Sequence, residues 1–501
     1  MKIKLFDLIS ILFISVASVS AQNTPGNVSP SKLEYHLSWD GKSPLLHVDV
    51  IYTPSTKDST VFILGDPGFG GQADLFKVVQ QIKCDASDSY KTTPSANKVV
   101  IRHAGAGVKK LSYTINGAIT GKPERAVYNE LFRPVITPGS LYILPLLFML
   151  EPQNTAATSL SIQWHSAPKN MTYFMSAAPG TAPLKKQVID MQHKDDFVML
   201  MGDDLVINNY KVHGIPYYMI TSKKDTVNNM QSAIAPFFTS YFPHLRDIWK
   251  DDSCVNYYVS LLPLKSALKP LQGGFNWASG FIMKYSGPFD EQKKRVLAHE
   301  TSHSWIGNFI TIGQNSFDDQ WFGEGFNDYI CNLALLRSGI DSAKGFVHYV
   351  NDENLAKHYS SPVKNAPNDS IAARYWKDKN YEKLPYHRGF IFAFYLDNQI
   401  RLASGGKQSL RDLLLVLFKR AKVIKAADSD KNITLKDFLD ATSLFLPPAQ
   451  VQHDVDTYML KGTPIDFSQV KLIADFNMTI QNGIPVLGLN AGSDLHDFCN
   501  W

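Results

Sequence analysis

The chain has 501 residues, 44% hydrophobic and 19% charged, with 50 Lys and Arg against 46 Asp and Glu. That is too apolar and too balanced for a disordered or fibrous polymer, and the length allows about two to four domains, each with its own core. A net charge of +4 with no long Lys/Arg run gives no footprint for nucleic acid or for an anionic membrane surface, which leaves small molecules and peptides as partners.

In chain order, residues 1–21 read as a secretory signal peptide. Lys2 and Lys4 precede an apolar stretch from Leu5 to Val19, and Val19 and Ala21 fit a cleavage site before Gln22. The expectation is an exported protein, periplasmic or secreted. No later segment approaches about 18 consecutive apolar residues, so no further membrane span is expected. LYILPLLFML at 141–150 is short, is interrupted by Pro145, and reads as a core element. Cys84, Cys254, Cys331 and Cys499 are far apart and form no CxxC; in an exported chain they are free to form disulfides.

Residues 22–200 alternate short apolar runs (LEYHLSW, LLHVDVIY, TVFILG, KVVIRH, LSIQWH) with Gly, Pro, Ser and Asn clusters. This is the pattern of an antiparallel β domain. GDPGFGG at 65–71 lacks the Lys-Ser/Thr of a phosphate loop and reads as a turn. Residues 201–405 mix strands (IPYYMITS, VNYYVSLLP, GFIMKYS) with helical stretches (DTVNNMQSAIAPFFTSYF, FGEGFNDYICNLALLRSG, RGFIFAFYLDNQIRLAS). Residues 406–501, led by SLRDLLLVLFKRAK, form a helical C-terminal region. The fold class expected is α+β multidomain.

The chemistry concentrates in RVLAHETSHSWIGN at 295–308, which contains His299, Glu300 and His303 as HExxH. Two histidines four apart on a helix lie about 40° from one another, so both imidazoles reach one cation. Glu300 sits beside the first of them, where a carboxylate can take a proton from water at the metal. Pro288 and Asp290 are start signals for this helix, and Gly307-Asn308 a stop. Downstream, WFGEGFNDY at 321–329 offers Glu324, with Asp328 one turn later on the same face. Catalytic zinc commonly takes two His and one Glu and keeps a position for water, and a carboxylate such as Asp328 can accept from the free N–H of a ligating imidazole. Asp318 and Asp319 are rival third ligands.

The segments HETSHSWIGNFIT and WFGEGF together resemble the gluzincin metallopeptidases, specifically the membrane alanyl aminopeptidase family and its leukotriene hydrolase relatives. The connection from His303 to Glu324 is slightly longer than that family usually has. The resemblance implies a thermolysin-like catalytic domain, one Zn²⁺ per chain held by His299, His303 and Glu324, and peptide substrates. PYHRGFIFAFYLDNQI at 385–400 is similar to the family segment that supplies an oxyanion-stabilising tyrosine, which makes Tyr386 the candidate and sets aside Tyr381. QGGFNWASGFIMKY at 272–285 falls where the family binds the substrate backbone and α-amino group, implying substrate-binding roles for Gly273, Gly274 and Asn276. Asn276 stands where the family has a glutamate, and a neutral amide cannot pair with an ammonium as a carboxylate does. Residues 388–418 also resemble the glycyl aminopeptidases. The first expectation is therefore an aminopeptidase; a zinc endopeptidase and a non-catalytic peptide-binding protein on the same fold are the alternatives.

Overall fold

The computed structural model describes residues 31–495 and 498, except 66–71, 73, 122–125, 265–271, 278, 314–319 and 376. The signal segment 1–21, nearly all of the glycine run at 65–71, the rival ligands Asp318 and Asp319, and Cys499 lie outside the described residues.

Three sheets occupy the chain as far as Gly202. The first has six strands, in the spatial order Gln187–Asp190, Ser159–Ser166, Leu33–Ser38, Leu45–Tyr52, Lys109–Asn116 and Val79–Cys84. Its pairs are antiparallel except Leu33–Ser38 with Ser159–Ser166. Two four-stranded antiparallel sheets complete the region, one centred on Ser59–Leu64 and Lys98–Arg102, the other on Met199–Gly202 and Ser140–Ile143. Strict alternation of buried and half-buried residues in Leu33–Ser38 and Ser59–Leu64 sets the register, because a one-residue slip would turn the apolar face to water. LYILPLLFML is buried almost throughout, as a strand, a helical turn at Pro145–Phe148 and the start of another strand.

A mixed sheet of five strands begins at Leu205. Its order is Leu205–Val212, Ile215–Ser222, Tyr257–Pro263, Gly280–Tyr285 and, at the edge, the antiparallel strand Gln272–Asn276. The apolar runs YYVSLL and GFIMKY are buried on both sides, as sheets covered on both faces require. Ile220, Tyr258, Leu262, Phe275 and Ile282 join the core of the β region, whereas Tyr217, Val259, Leu261, Phe281 and Met283 join the core of the helices.

The helix Glu291–Ser302 packs on the helical side of this sheet. Asp290 caps it by accepting from the Lys293 backbone N–H at 3.1 Å, and His303 stands at its C-terminal end. Just beyond, Trp305 stacks on Trp249 with ring centroids 5.8 Å apart and planes 5° apart. Trp321–Phe326 forms a turn of π-helix that runs into the α-helix Asn327–Arg337. The 26-residue helix Lys379–Ser404 crosses that turn and ends at Gly405, whose φ is +62°. The crossing is backbone against backbone: a Cβ at Gly389 would stand 1.9 Å from the Trp321 carbonyl oxygen, and one at Gly325 2.4 Å from Gly389 Cα.

Beyond Gly405 come the helices Leu410–Ala427, Leu435–Thr442 and Pro448–Asp454. The region closes with a hairpin, Phe476–Gln481 paired with Ile484–Leu489. Asn482 and Gly483 make its two-residue turn with φ of +54° and +78°, the Asn-Gly turn whose twist suits a hairpin. Among the described residues Cys84, Cys254 and Cys331 are free thiols, and no helix is long and apolar enough to cross a membrane.

Candidate active site

His299, His303 and Glu324 converge between the helix Glu291–Ser302 and the π-helical turn. His299 Nε2 lies 3.1 Å from Glu324 Oε2 and 3.1 Å from His303 Nε2, and His303 Nε2 lies 3.6 Å from Glu324 Oε2. Donors bound to a tetrahedral zinc at about 2.0–2.2 Å sit about 3.3–3.5 Å from one another, so this triangle fits that ion. The other nitrogen of each imidazole is engaged. His299 Nδ1 is 3.3 Å from Asp328 Oδ1, and His303 Nδ1 is 2.9 Å from the Ile306 carbonyl oxygen. Those partners hold the Nδ1–H tautomer and leave both Nε2 lone pairs for a metal. Asp328 is itself fixed by the Tyr349 hydroxyl, which donates to Oδ2 at 2.8 Å, and the Asn327 amide donates to the His299 carbonyl at 2.9 Å. His299, Asp328 and Cys331 form a second close donor group, but it competes for the same imidazole, and Asp328 already serves as that ring's acceptor.

Glu300 is only 3% exposed. Burial pushes its carboxyl up to about 7, against the pull of His303 and His299. Burial works in the same direction on Glu324, yet His303 and His299 hold that carboxyl well below the usual range. Burial opposes charge on His299, but Asp328, Cys331 and Glu324 overcome it and hold its pKa well above the ordinary histidine value. An anionic Glu324 beside an imidazole that attracts positive charge is a pattern that a divalent cation can satisfy by displacing the imidazole proton.

Tyr386 joins the same centre. It lies in the helix Lys379–Ser404, is buried, and stacks on the His299 ring with centroids 6.0 Å apart. Tyr381, one and a half turns earlier, belongs to a separate apolar cluster, where its hydroxyl accepts from Arg374 Nη1. Sequence reasoning passed over two neighbours of Tyr386. The Lys383 ammonium lies 4.5 Å from the centroid of its ring, and Tyr375, 2% exposed, shares a hydrogen bond with it. Neither belongs to a motif; Tyr375 comes from a turn with no repeating pattern.

The strand Gln272–Asn276 runs beside this centre, packed against the HExxH helix. A Cβ at Gly273 would stand 2.3 Å from Val127 Cγ1 of the helix Ala126–Phe132, and one at Gly274 2.7 Å from Phe281 Cζ. At both positions helix and ring packing leaves no room for a side chain. Asn276 is buried, donates through Nδ2 to the Glu300 carbonyl oxygen at 3.2 Å, and accepts from Asn308 Nδ2 at 3.3 Å. Its amide ties the edge strand to the HExxH helix.

The donor set is two histidines and a glutamate, the set that catalytic zinc commonly takes. Residues 284–454 match the peptidase family M1 domain. That family implies zinc as cofactor, and the two histidines and the glutamate of the site fall within the matched residues. It is 28% identical over 169 residues to leucine aminopeptidase 2-2 of Meyerozyma guilliermondii, a match covering 30% of this chain and 26% of the relative. It is 22% identical over 219 residues to leucine aminopeptidase 2 of Candida albicans, covering 40% of this chain and 32% of the relative. The chain thus matches about a third or less of the length of these relatives. Its fold is that of an aminopeptidase N family protein from Idiomarina loihiensis, with a TM-score of 0.70 at 14% identity over 90% of this chain and 79% of that one.

Proposed function

We propose that this chain is an exported zinc peptidase that hydrolyses peptide bonds and releases N-terminal residues. The observation that carries the reading is the buried triangle of His299, His303 and Glu324, with Glu300 and Tyr386 on the same centre. Held by those three side chains, zinc supplies Lewis-acid polarisation of the scissile carbonyl and of the attacking water. Glu300 takes the proton of that water as it attacks and passes it to the leaving amine. The Tyr386 phenol donates a hydrogen bond to the oxyanion, a charge present only as the tetrahedral species forms, so its effect falls on kcat. Asp328 and the Ile306 carbonyl keep the two imidazoles in the tautomer that binds metal.

The leucine aminopeptidases among its relatives support release of N-terminal residues. Asn276 favours a second reading, a zinc endopeptidase, because its neutral amide is committed to Glu300 and Asn308 and leaves no carboxylate there for a free α-ammonium. Assay of one peptide with free and with acetylated N-terminus separates the two: an aminopeptidase cleaves only the free form. Purified Glu300→Gln should keep about one zinc per chain by mass spectrometry and lose turnover; full activity in that variant would overturn the mechanism. Export predicts that the chain recovered from the periplasm or medium begins at Gln22.

A further inference from the structure

One turn ahead of His299, on the same helix, stands Arg295, a half-buried residue outside the HExxH motif. Its guanidinium meets three other segments. Nη2 donates to Asp341 Oδ2 at 2.6 Å, Nη1 donates to Asn332 Oδ1, and Cζ lies 4.3 Å from the centroid of the Tyr349 ring. Asn332 and Tyr349 are also the side chains that hold Asp328. The Asn332 amide donates to the Asp328 carbonyl oxygen at 2.7 Å and to Oδ1 at 3.4 Å, and the Tyr349 hydroxyl donates to Oδ2 at 2.8 Å. Asp328 Oδ1 in turn lies 3.3 Å from His299 Nδ1. The contacts form a closed circuit that leaves the helix Glu291–Ser302 at Arg295, passes through Tyr349 and Asn332 to Asp328, and returns to the same helix at His299. Asp341 pins the guanidinium from the far side, and its own Oδ1 accepts from the Ser342 N–H at 2.8 Å.

Asp328 is only 8% exposed, and a carboxylate so placed needs its neighbours fixed and its charge met. The phenol, the amide and the imidazole around it carry no permanent charge. Arg295 supplies one a single contact farther out, on a planar fork that reaches two acceptors at once. A cation over the face of a phenol also draws density from the ring and strengthens its O–H as a donor. We propose that Arg295 is a positioning residue for the metal ligand His299, acting through Tyr349 and Asn332 on Asp328. The inference rests on the zinc-binding role given to His299 above.

A double-mutant cycle on the full-length protein tests this, read by chelator competition for zinc and not by turnover. Arg295→Met keeps the aliphatic stem and removes the fork; it is expected to weaken zinc binding about threefold to tenfold, less than the loss of a direct partner of the ligand. In the Asp328→Ala background the same change should have no further effect. Should Arg295→Met fail to fold, Arg295→Lys carries the same cycle, since one ammonium cannot serve Asp341 and Asn332 as the fork does. An equal loss in both backgrounds would mean that Arg295 only braces the fold, and an unchanged affinity in the parent background would mean that it does not act on the ligand; either overturns the proposal. If His299→Ala binds zinc as tightly as the parent, the zinc reading itself fails, and the inference fails with it.

Discussion

Asp328 is not a corner of the His299, His303 and Glu324 triangle, yet it decides how His299 presents itself to a cation. Its Oδ1 holds His299 Nδ1 at 3.3 Å, and its Oδ2 is held in turn by Tyr349. Outer partners of this kind are worth about 10–100-fold in metal affinity, so Asp328→Ala should weaken zinc by that factor in a chelator competition. A variant that binds zinc as tightly as the parent would show that the imidazole needs no such support. At this scale the sequence was most informative where chemistry is written as spacing. HExxH places two imidazoles on one face, and Asp328 one turn after Glu324 can lie only near them. Tyr375 left no such trace, because a turn brings it in from outside every motif. At Gly273 and Gly274 nothing in the sequence foretold the packing against Val127 and Phe281 that the missing side chains allow.

Between elements, the contact that matters most is made without side chains. Gly325 and Gly389 let the π-helical turn and the long helix meet at their backbones, and Glu324 and Tyr386 stand one and three residues away from that contact. π-helical turns recur at functional sites, where the extra residue re-aims a side chain. A methyl group at position 389 has no space, since it would sit against the Trp321 carbonyl. Gly389→Ala should therefore destabilise the protein by about 1–3 kcal/mol or more and also lower zinc affinity, because the segments can separate only by moving Glu324. Thermal melting with and without chelator checks both, and a loss of stability with unaltered zinc binding would uncouple them. The start of the HExxH helix was legible from Asp290, but the helix ends at Ser302, short of the stop read at Gly307-Asn308; for the long helix only the end before Gly405 was legible, since it begins at Lys379, ahead of the apolar run. The π-turn was not, since its register depends on what packs against it. The final hairpin was written plainly in Asn482-Gly483 but lay in a region whose preceding residues are helical.

For the whole molecule, the five-stranded sheet is the shared wall between two cores, since its buried residues divide between the core of the β region and that of the helices. The Trp277 indole, next to Asn276, donates to the Phe197 carbonyl oxygen across that wall at 3.1 Å. Farther off, the β region carries a buried polar knot. His103 Nδ1 lies 3.0 Å from Asp88 Oδ2, His103 Nε2 lies 2.9 Å from Thr60 Oγ1, and Lys109 Nζ reaches Asp88 Oδ1 at 3.0 Å. The geometry is that of a nucleophile, a base and an orienting acid, but all three side chains are buried, so the knot serves to join two sheets. Burial works to raise the Asp88 carboxyl, yet the Ala104 N–H, His103 and Lys109 hold it well below the carboxylate range. A carboxyl depressed on folding stabilises the native state above its unfolded pKa of about 3.9, and the contribution is lost as pH falls through the folded value. Asp88→Asn should therefore lower Tm at neutral pH, and calorimetry should find the gap to the parent narrowing below about pH 4; a gap independent of pH would refute the charge-based account. The stacked indoles of Trp249 and Trp305 offer something of another kind. Trp305 follows His303 by two residues, so this pair of chromophores is covalently tied to a proposed zinc ligand. The protein thereby carries its own optical gauge: its near-ultraviolet circular dichroism should change as metal is withdrawn, with no dye, label or substrate added.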